Sequence, residues 1–444
     1  MMKKLTYITS LLLALVILAV SLPSAAAASF DPGFETKSDS IYLVNLDTDT
    51  PVYQKNEREK RYPASVTKIM TYIVVAEQVK DLENTKVKIQ QDILDRLDGT
   101  GSSLSGLEYH VDEQLSVLDL LYCMMVSSGN DAALVLGDYV GKGSVESFVE
   151  LMNAKAAELG CKDTNFINPH GLHDPNQYTT AYDMYKIAQY AISLPHFMEI
   201  CNTTTYYIDP DDDEPLVTSN HLIDPNRGGE YYYEYAKGIK TGTTDEAGYC
   251  LISTAVKDGV AYLCVAMHAP CYDKDGNSAD NGAMLDSKQL YEWAFGNLAL
   301  KKVVGEQTPV CETKVNYAFN KDTLLLVPEY SYSTMVPVGD DKESVEIVPN
   351  VPESVDTPVT KGQKIGTADI KYGGQKIASV NLVASESVDR SEFVYGAAVI
   401  KNVITSPWFI GAAVLVLVLF IIYLIAVSMM GKKKKGNVKK FRDL

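Results

Sequence analysis

The chain has no Cys-x-x-Cys pair and no His-Glu-x-x-His. Those absences remove the usual signatures of a zinc ribbon, a thioredoxin-like centre and a zinc-peptidase helix. Cysteine itself is sparse and irregular: Cys123, Cys161, Cys201, Cys250, Cys264, Cys271 and Cys311. An odd count argues against a disulfide framework. Cys250 in YCLISTAV and Cys264 in AYLCVAM sit in apolar runs, where a free thiol is a small core residue. Mostly free thiols and a poorly oxidising habitat are expected, with one disulfide left open. Positive charge is scarce between the termini. The 40 Lys and Arg face 57 Asp and Glu, a net charge of −17. The first 28 residues hold two lysines and the stretch from Lys432 is net +6, so what lies between stands at −25. That argues against nucleic acid or anionic lipid as the ligand; a solvated acidic surface is the plain alternative. There is no internal repeat.

Charge is also missing from WFIGAAVLVLVLFIIYLIAVSMM, residues 408–430. A helix of that length spans roughly 35 Å, enough to cross a bilayer. KKKKGNVKK follows, so the basic tail, residues 431–444, is expected in the cytoplasm and the rest outside. The other end, MMKKLTYITSLLLALVILAVSLPSAAAAS, has a basic start, an apolar stretch and small residues. It reads as a signal peptide over residues 1–28, an uncleaved anchor being the alternative.

IYLVNL and PVYQKN alternate around DTDT as a hairpin. From Ala64 to Leu194, runs such as LSVLDLLYCMMVS and TAYDMYKIAQYAI place apolar residues three and four apart, the helical period. Strand patterns return at GIKTG, YCLISTAV and AYLCVAMHA, before a last helix in AMLDSKQLYEWAFGNLAL. Strands at both ends around a helical middle predict an α+β, three-layer domain over residues 29–304: one antiparallel sheet with an inserted helical block. Residues 305–384 show alternation and prolines without a helical period, so a small all-β domain is expected there. Residues 385–407 read as a stalk.

RYPASVTKIMTYIVVAEQ places Ser65 and Lys68 three apart where the helical pattern starts. On a helix they share a face. A serine hydroxyl needs a base, and lysine is one only when burial or a neighbouring cation lowers its pKa. Ile69, Met70 and Tyr72 supply the apolar surroundings. At a helix start, Ser65 also gains from the dipole and has a backbone N–H free to donate. Alone this spacing is weak: about one or two Ser-x-x-Lys are expected by chance in such a chain, as an N-cap and a snorkelling lysine. VSSGNDAAL adds Ser128, Gly129 and Asn130 at a junction between two helical runs, where a helix break is the plain reading. The functional reading is a second hydroxyl to relay a proton and an amide to hold substrate. GIKTGTTDEAGYC puts Lys240, Thr241 and Gly242 on a strand. There a lysine and a hydroxyl can bind a carboxylate, and a glycine lets a peptide lie close to the edge; a hairpin with an exposed lysine is the alternative.

Ser-x-x-Lys, Ser-Gly-Asn and Lys-Thr-Gly in this order form the motif set of β-lactamases and penicillin-binding proteins. With YPASVTKIMT, LLYCMMVSSGNDAA, FINPHGLHDPNQYTTAYDM and GIKTGTTDEAGYCLISTA, the sequence resembles the serine D-alanyl-D-alanine carboxypeptidases, the low-molecular-mass penicillin-binding proteins. The likeness covers Ser38 to Leu300, and more loosely the β domain. It implies a β-lactamase/transpeptidase-like fold. It implies Ser65 as acylated nucleophile, Lys68 as its base, and Ser128 and Asn130 as proton shuttle and substrate holder. Lys240 and Thr241, beside Gly242, would bind the terminal carboxylate, and the N–H groups of Ser65 and Thr243 would form the oxyanion hole. The substrate implied is a peptidoglycan stem peptide ending in D-Ala-D-Ala, with β-lactams as inhibitors and no metal or cofactor. Two features depart from the pattern. The acidic, tyrosine-rich stretch from Pro210 to Tyr235 matches only roughly, and the end looks like a full membrane span where an amphipathic helix is more usual.

A β-lactamase would need a deacylating carboxylate, for which Glu158 in AELG is a poor counterpart. His170, His173 and Asp174 in PHGLHD are the only hint of a zinc peptidase and suit a turn equally well. A D,D-endopeptidase would use the same residues. A catalytically inactive wall-binding protein would have no reason to keep Lys68 and Lys240.

Overall fold

The computed structural model describes residues 30–209, 214–339 and 345–439. The leader, the acidic residues 210–213 and the last residues of the basic tail lie outside the described residues. The chain forms two compact units. The first runs to Val303 and takes back Ser333–Ser344; the second holds Val304–Tyr332 and the rest.

In the first unit, β1 (Ser40–Asn45) and β2 (Thr50–Lys55) form the hairpin expected around DTDT. A 3₁₀ turn, Ala64–Thr67, leads into α1 (Lys68–Gln78). Then come α2 (Val117–Met125), α3 (Asn130–Val140), α4 (Val145–Glu158) and α5 (Ala181–Ile192). Three long strands follow, β3 (Ala236–Thr244), β4 (Gly248–Lys257) and β5 (Val260–Ala269), and then α6 (Gly282–Asn297). The sheet order is β2-β1-β5-β4-β3, with every neighbouring pair antiparallel. The amino-terminal hairpin thus closes onto strands some 200 residues later in the chain, as strands at both ends of a helical block require.

Side-chain alternation explains the three layers. Tyr42 and Val44 join the core shared with the helical block, whereas Ile41 and Leu43 join the core under α6. Ile252 and Leu251 divide in the same way. A sheet covered on both faces reads as continuous apolar sequence, which accounts for YCLISTAV and AYLCVAM. All seven cysteines are free, and five of them are buried. β3 is left at the edge, beside the 3₁₀ turn, and there the motifs meet.

After β6 (Leu298–Val304), the second unit contributes β7 (Cys311–Asn316) and β8 (Thr323–Pro328). β9 (Tyr332–Pro337) then pairs with β6, and its Met335 is buried in the core under α6. β10 (Val345–Asn350), β11 (Ser354–Asp356), β12 (Lys364–Tyr372) and β13 (Gln375–Ala384) complete the second sheet, ordered β10-β12-β13-β8-β7-β11. Leu324, Leu326, Ala368 and Leu382 form its core. The stretch read as a stalk contains a helix, α7 (Glu392–Ile404), whose amino end is capped by the Ser391 hydroxyl. α8 (Pro407–Lys439) follows, and its segment Pro407–Met429 is apolar and long enough to cross a membrane.

Candidate active site

Ser65 stands in the 3₁₀ turn, one turn before Lys68 opens α1. Two glycines clamp that turn from either side. Gly171 has φ +95°, and a Cβ there would lie 2.0 Å from the Ala64 carbonyl oxygen. Gly242 on β3 sits so that a Cβ would meet Pro63 O and Ser65 N at 3.0 Å. Only a residue without a side chain lets the loop and the strand approach this closely.

Lys68 is fully buried. Its Nζ lies 2.9 Å from Ser65 Oγ, 2.5 Å from Asn130 Oδ1 and 2.7 Å from the His170 carbonyl oxygen. Burial holds its pKa well below the ordinary lysine value; Lys240 adds to the depression and Asp131 opposes it. A neutral amine has two protons and one lone pair. Asn130 Oδ1 and His170 O can only accept, so they take the two protons. The lone pair is left for the Ser65 hydroxyl.

Asn130 is held where α3 begins. Its N–H donates to Ser103 O at 2.9 Å. The next residue, Asp131, accepts from Ser105 N at 2.8 Å and Ser105 Oγ at 2.8 Å. Gly129 has no room for a Cβ, which would fall 2.7 Å from both Asp131 Oδ1 and Ser105 Oγ. Ser128, buried at the α2–α3 junction, adopts φ +65°, a left-handed conformation uncommon for serine and typical of functional sites.

On β3, Lys240 is also buried, and its Nζ has no hydrogen-bond partner among the described residues. Burial lowers its pKa to about 7, the Cys201 thiol partly offsetting. A buried donor without an acceptor costs about 1–3 kcal/mol, and an incoming carboxylate would satisfy it. Thr241 Oγ1 lies 2.6 Å from Ser219 Oγ, and Thr243 is exposed further along the strand. Ser65, Lys68 and Asn130 are therefore in direct contact. Lys240 acts on Lys68 through charge, and Gly242 lies against Ser65.

Reasoning from residue types did not single out the His170 carbonyl, Ser105, Asp131 or Ser219. From the sequence, His170 stands out only as a weak zinc candidate. Its buried ring accepts from Leu172 N at 3.1 Å, and burial lowers its pKa to about 3, with Lys68 adding to the effect. The His173 ring packs edge-on against Tyr62 at 4.6 Å. Among the described residues no three His, Cys, Asp or Glu side chains are arranged to hold a metal. Glu158 lies at the end of α4, where it pairs with Lys155 at 2.9 Å.

Comparison with known proteins points the same way. The sequence model described as D-alanyl-D-alanine carboxypeptidase matches residues 24–271, and that of the penicillin-binding protein 5 C-terminal domain matches residues 299–390. The chain is 29% identical to the D-alanyl-D-alanine carboxypeptidase DacF of Bacillus subtilis, over 80% of this chain and 87% of that one. It is 32% identical to DacA of Haemophilus influenzae, over 75% and 80% respectively. Penicillin-binding protein 5 from Haemophilus influenzae superposes with a TM-score of 0.65 at 29% identity, covering 80% of this chain and 99% of that one.

Proposed function

The chain belongs to the family of D-alanyl-D-alanine carboxypeptidases, and on that footing we propose which of its residues carry the reaction and where it takes place. It is a serine hydrolase of the penicillin-binding protein 5 type, in a family that acts on D-Ala-D-Ala stem peptides of peptidoglycan and binds β-lactams.

Ser65 is the nucleophile and Lys68 its general base. One observation carries this assignment: Lys68 Nζ stands 2.9 Å from Ser65 Oγ, with Asn130 Oδ1 and His170 O placed to take the two protons of its neutral form and leave the lone pair to that hydroxyl. The Ser65 proton passes to Lys68 as Oγ attacks the carbonyl carbon of the penultimate D-alanine. The proton then goes to the departing amine by way of Ser128, and D-alanine leaves. Water attacks the ester, Ser65 regains its proton, and the shortened peptide is released. Lys240 and Thr241 hold the terminal carboxylate. Asn130 holds the peptide backbone, and Gly242 lets it approach the edge of β3. The N–H groups of Ser65 and Thr243 receive the developing oxyanion, each worth roughly 3–4 kcal/mol in such sites. A β-lactam would acylate the same hydroxyl.

The apolar helix fits a membrane anchor. The lysines at 432–435 support a single-pass arrangement with the basic tail in the cytoplasm and the catalytic unit outside. Residues 1–28 would direct export.

The test is D-alanine release from a pentapeptide ending in D-Ala-D-Ala, by the full chain in detergent and by its Ser65→Ala variant. Release that disappears in the variant is expected. Release that persists would remove Ser65 from its role, and cleavage of cross-linked dimers alone would make the enzyme an endopeptidase.

A further inference from the structure

Beyond the Thr243 end of β3 lies a cavity of about 350 Å³ that the reaction leaves unused. Lys60, Arg61, Tyr62, Tyr178, Glu246 and His268 line it. It adjoins the nucleophile from two directions. Tyr62 is three residues before Ser65 on the same segment. Glu246 is four residues beyond Gly242, at the turn that ends β3. The His173 ring links the two, lying 4.6 Å from the Tyr62 ring and with its Nδ1 3.9 Å from Glu246 Oε2.

The charges in this cavity are arranged unevenly. Lys60 Nζ stands 3.9 Å above the Tyr178 ring. Arg61 is fixed by backbone pairing with Thr179 and by Glu59 at 2.6 Å, yet its buried Nε has no partner among the described residues. Glu246 is half exposed, and its only ion-pair partner among the described residues is the distant His173 nitrogen. Two cations and one under-used carboxylate therefore share one concave wall.

The proposed substrate direction leads into this cavity. With the terminal carboxylate at Lys240 and Thr241 and the scissile carbonyl at Ser65, the acyl part of the peptide continues past Thr243. One residue, about 3.5 Å, separates the acylating carbonyl from the backbone of the third stem residue, and a long side chain adds roughly 6 Å. On the protein side, Gly242 to Glu246 spans at most about 14 Å. The reach matches.

We propose that this cavity is the subsite for the third stem residue, and that Lys60, Arg61 and Glu246 select a side chain ending in both a carboxylate and an ammonium group. Diaminopimelate has that end: its carboxylate meets Arg61 Nε and the Lys60 ammonium, and its ammonium meets Glu246. A lysine there brings only an ammonium group, placed before two cations. The inference rests on the carboxypeptidase reading, since it uses the same substrate direction along β3.

The experiment compares kcat/KM for D-alanine release from three pentapeptides that differ at the third position: meso-diaminopimelate, its side-chain amide, and lysine. The full chain in detergent is used beside its Lys60→Ala and Glu246→Gln variants, with penicillin labelling to report that each is folded. The free diaminopimelate peptide is expected to lead by at least about tenfold, the scale of a lost charge-assisted hydrogen bond. Lys60→Ala should shrink the lead over the amide, and Glu246→Gln should lower the rates of all three peptides, since each carries the ammonium group. Equal kcat/KM for all three peptides, or a preference untouched by both substitutions, would overturn the subsite while leaving the carboxypeptidase intact. No release from any peptide would overturn both.

Discussion

Gly242 lies against the backbone nitrogen of Ser65 so closely that a Cβ on it would stand 3.0 Å away. The neighbours are main-chain atoms of the nucleophile's own turn, and they cannot rotate aside as a side chain can. Gly242→Ala must therefore push β3 and the Ser65 turn apart by some tenths of an ångström. Misplacement approaching 1 Å costs up to about 100-fold in such sites. We expect kcat/KM to fall roughly 10- to 100-fold while the thermal midpoint moves little, because β3 is an edge strand. Paired peptide kinetics and thermal melts check this, and a large loss of stability without loss of rate would contradict it.

Lys68 offers a sharper test of the proton path. Lys68→Arg keeps a cation and hydrogen-bond donors on a somewhat longer side chain, but a guanidinium has no lone pair to receive a proton. If Lys68 is the base, penicillin labelling should slow by about 100- to 10,000-fold, the usual weight of general-base catalysis. Labelling that slows only a few-fold would mean that Lys68 orients Ser65 and that another group takes the proton.

These two residues also mark what the sequence makes legible. Ser65 and Lys68 are three apart at a helix start, so their meeting follows from helical geometry alone. Asn130 joins them because Ser-Gly-Asn breaks the helical pattern at the α2–α3 junction, and breaks carry identifiable residue types. The His170 carbonyl is equally close to Lys68, yet main-chain oxygen belongs to every residue and leaves no mark in the sequence. The layers were readable for a related reason: a sheet buried on both faces gives continuous apolar runs. The return of β9 to β6 was not, because one six-residue strand with Met335 turned inward resembles its neighbours in the β-rich stretch. The helix α7 was also missed, as EFVYGAAVIKNVI sits between a polar stretch and the long apolar helix.

A stability prediction follows from Tyr291 on α6, fully buried behind the sheet. Its hydroxyl donates to Ser253 O at 2.7 Å and accepts from Cys264 N at 3.1 Å, pinning the helix to two strands. Tyr291→Phe leaves both main-chain groups without that partner. The expected cost is about 1–3 kcal/mol in urea unfolding, with kcat/KM retained, since none of these atoms belongs to the Ser65 site. An equal loss of activity would mean that α6 also shapes the catalytic face.

The last prediction concerns pH and turns on Lys240. Burial lowers its pKa from 10.5 to about 7 in the folded enzyme. Its charge is what receives the terminal carboxylate, so kcat/KM, which reports the free enzyme, should decline above about pH 7. In Lys240→Arg the charge persists, and that limb should flatten. The sign for stability is opposite. Between pH 7 and 10.5 the unfolded chain binds more protons than the folded one at this site. Stability must therefore rise with pH through that window, by up to about 1.4 kcal/mol per pH unit. Lys68, also lowered by burial, contributes in the same direction. Buried thiols such as Cys161, pushed up to about 12, reverse the trend once their unfolded counterparts ionise near 9. Urea midpoints at pH 7.0 and 8.5 should therefore increase while kcat/KM falls. A midpoint that stays flat over this interval would mean that Lys240 keeps its proton in the folded enzyme and that the loss of activity has another source.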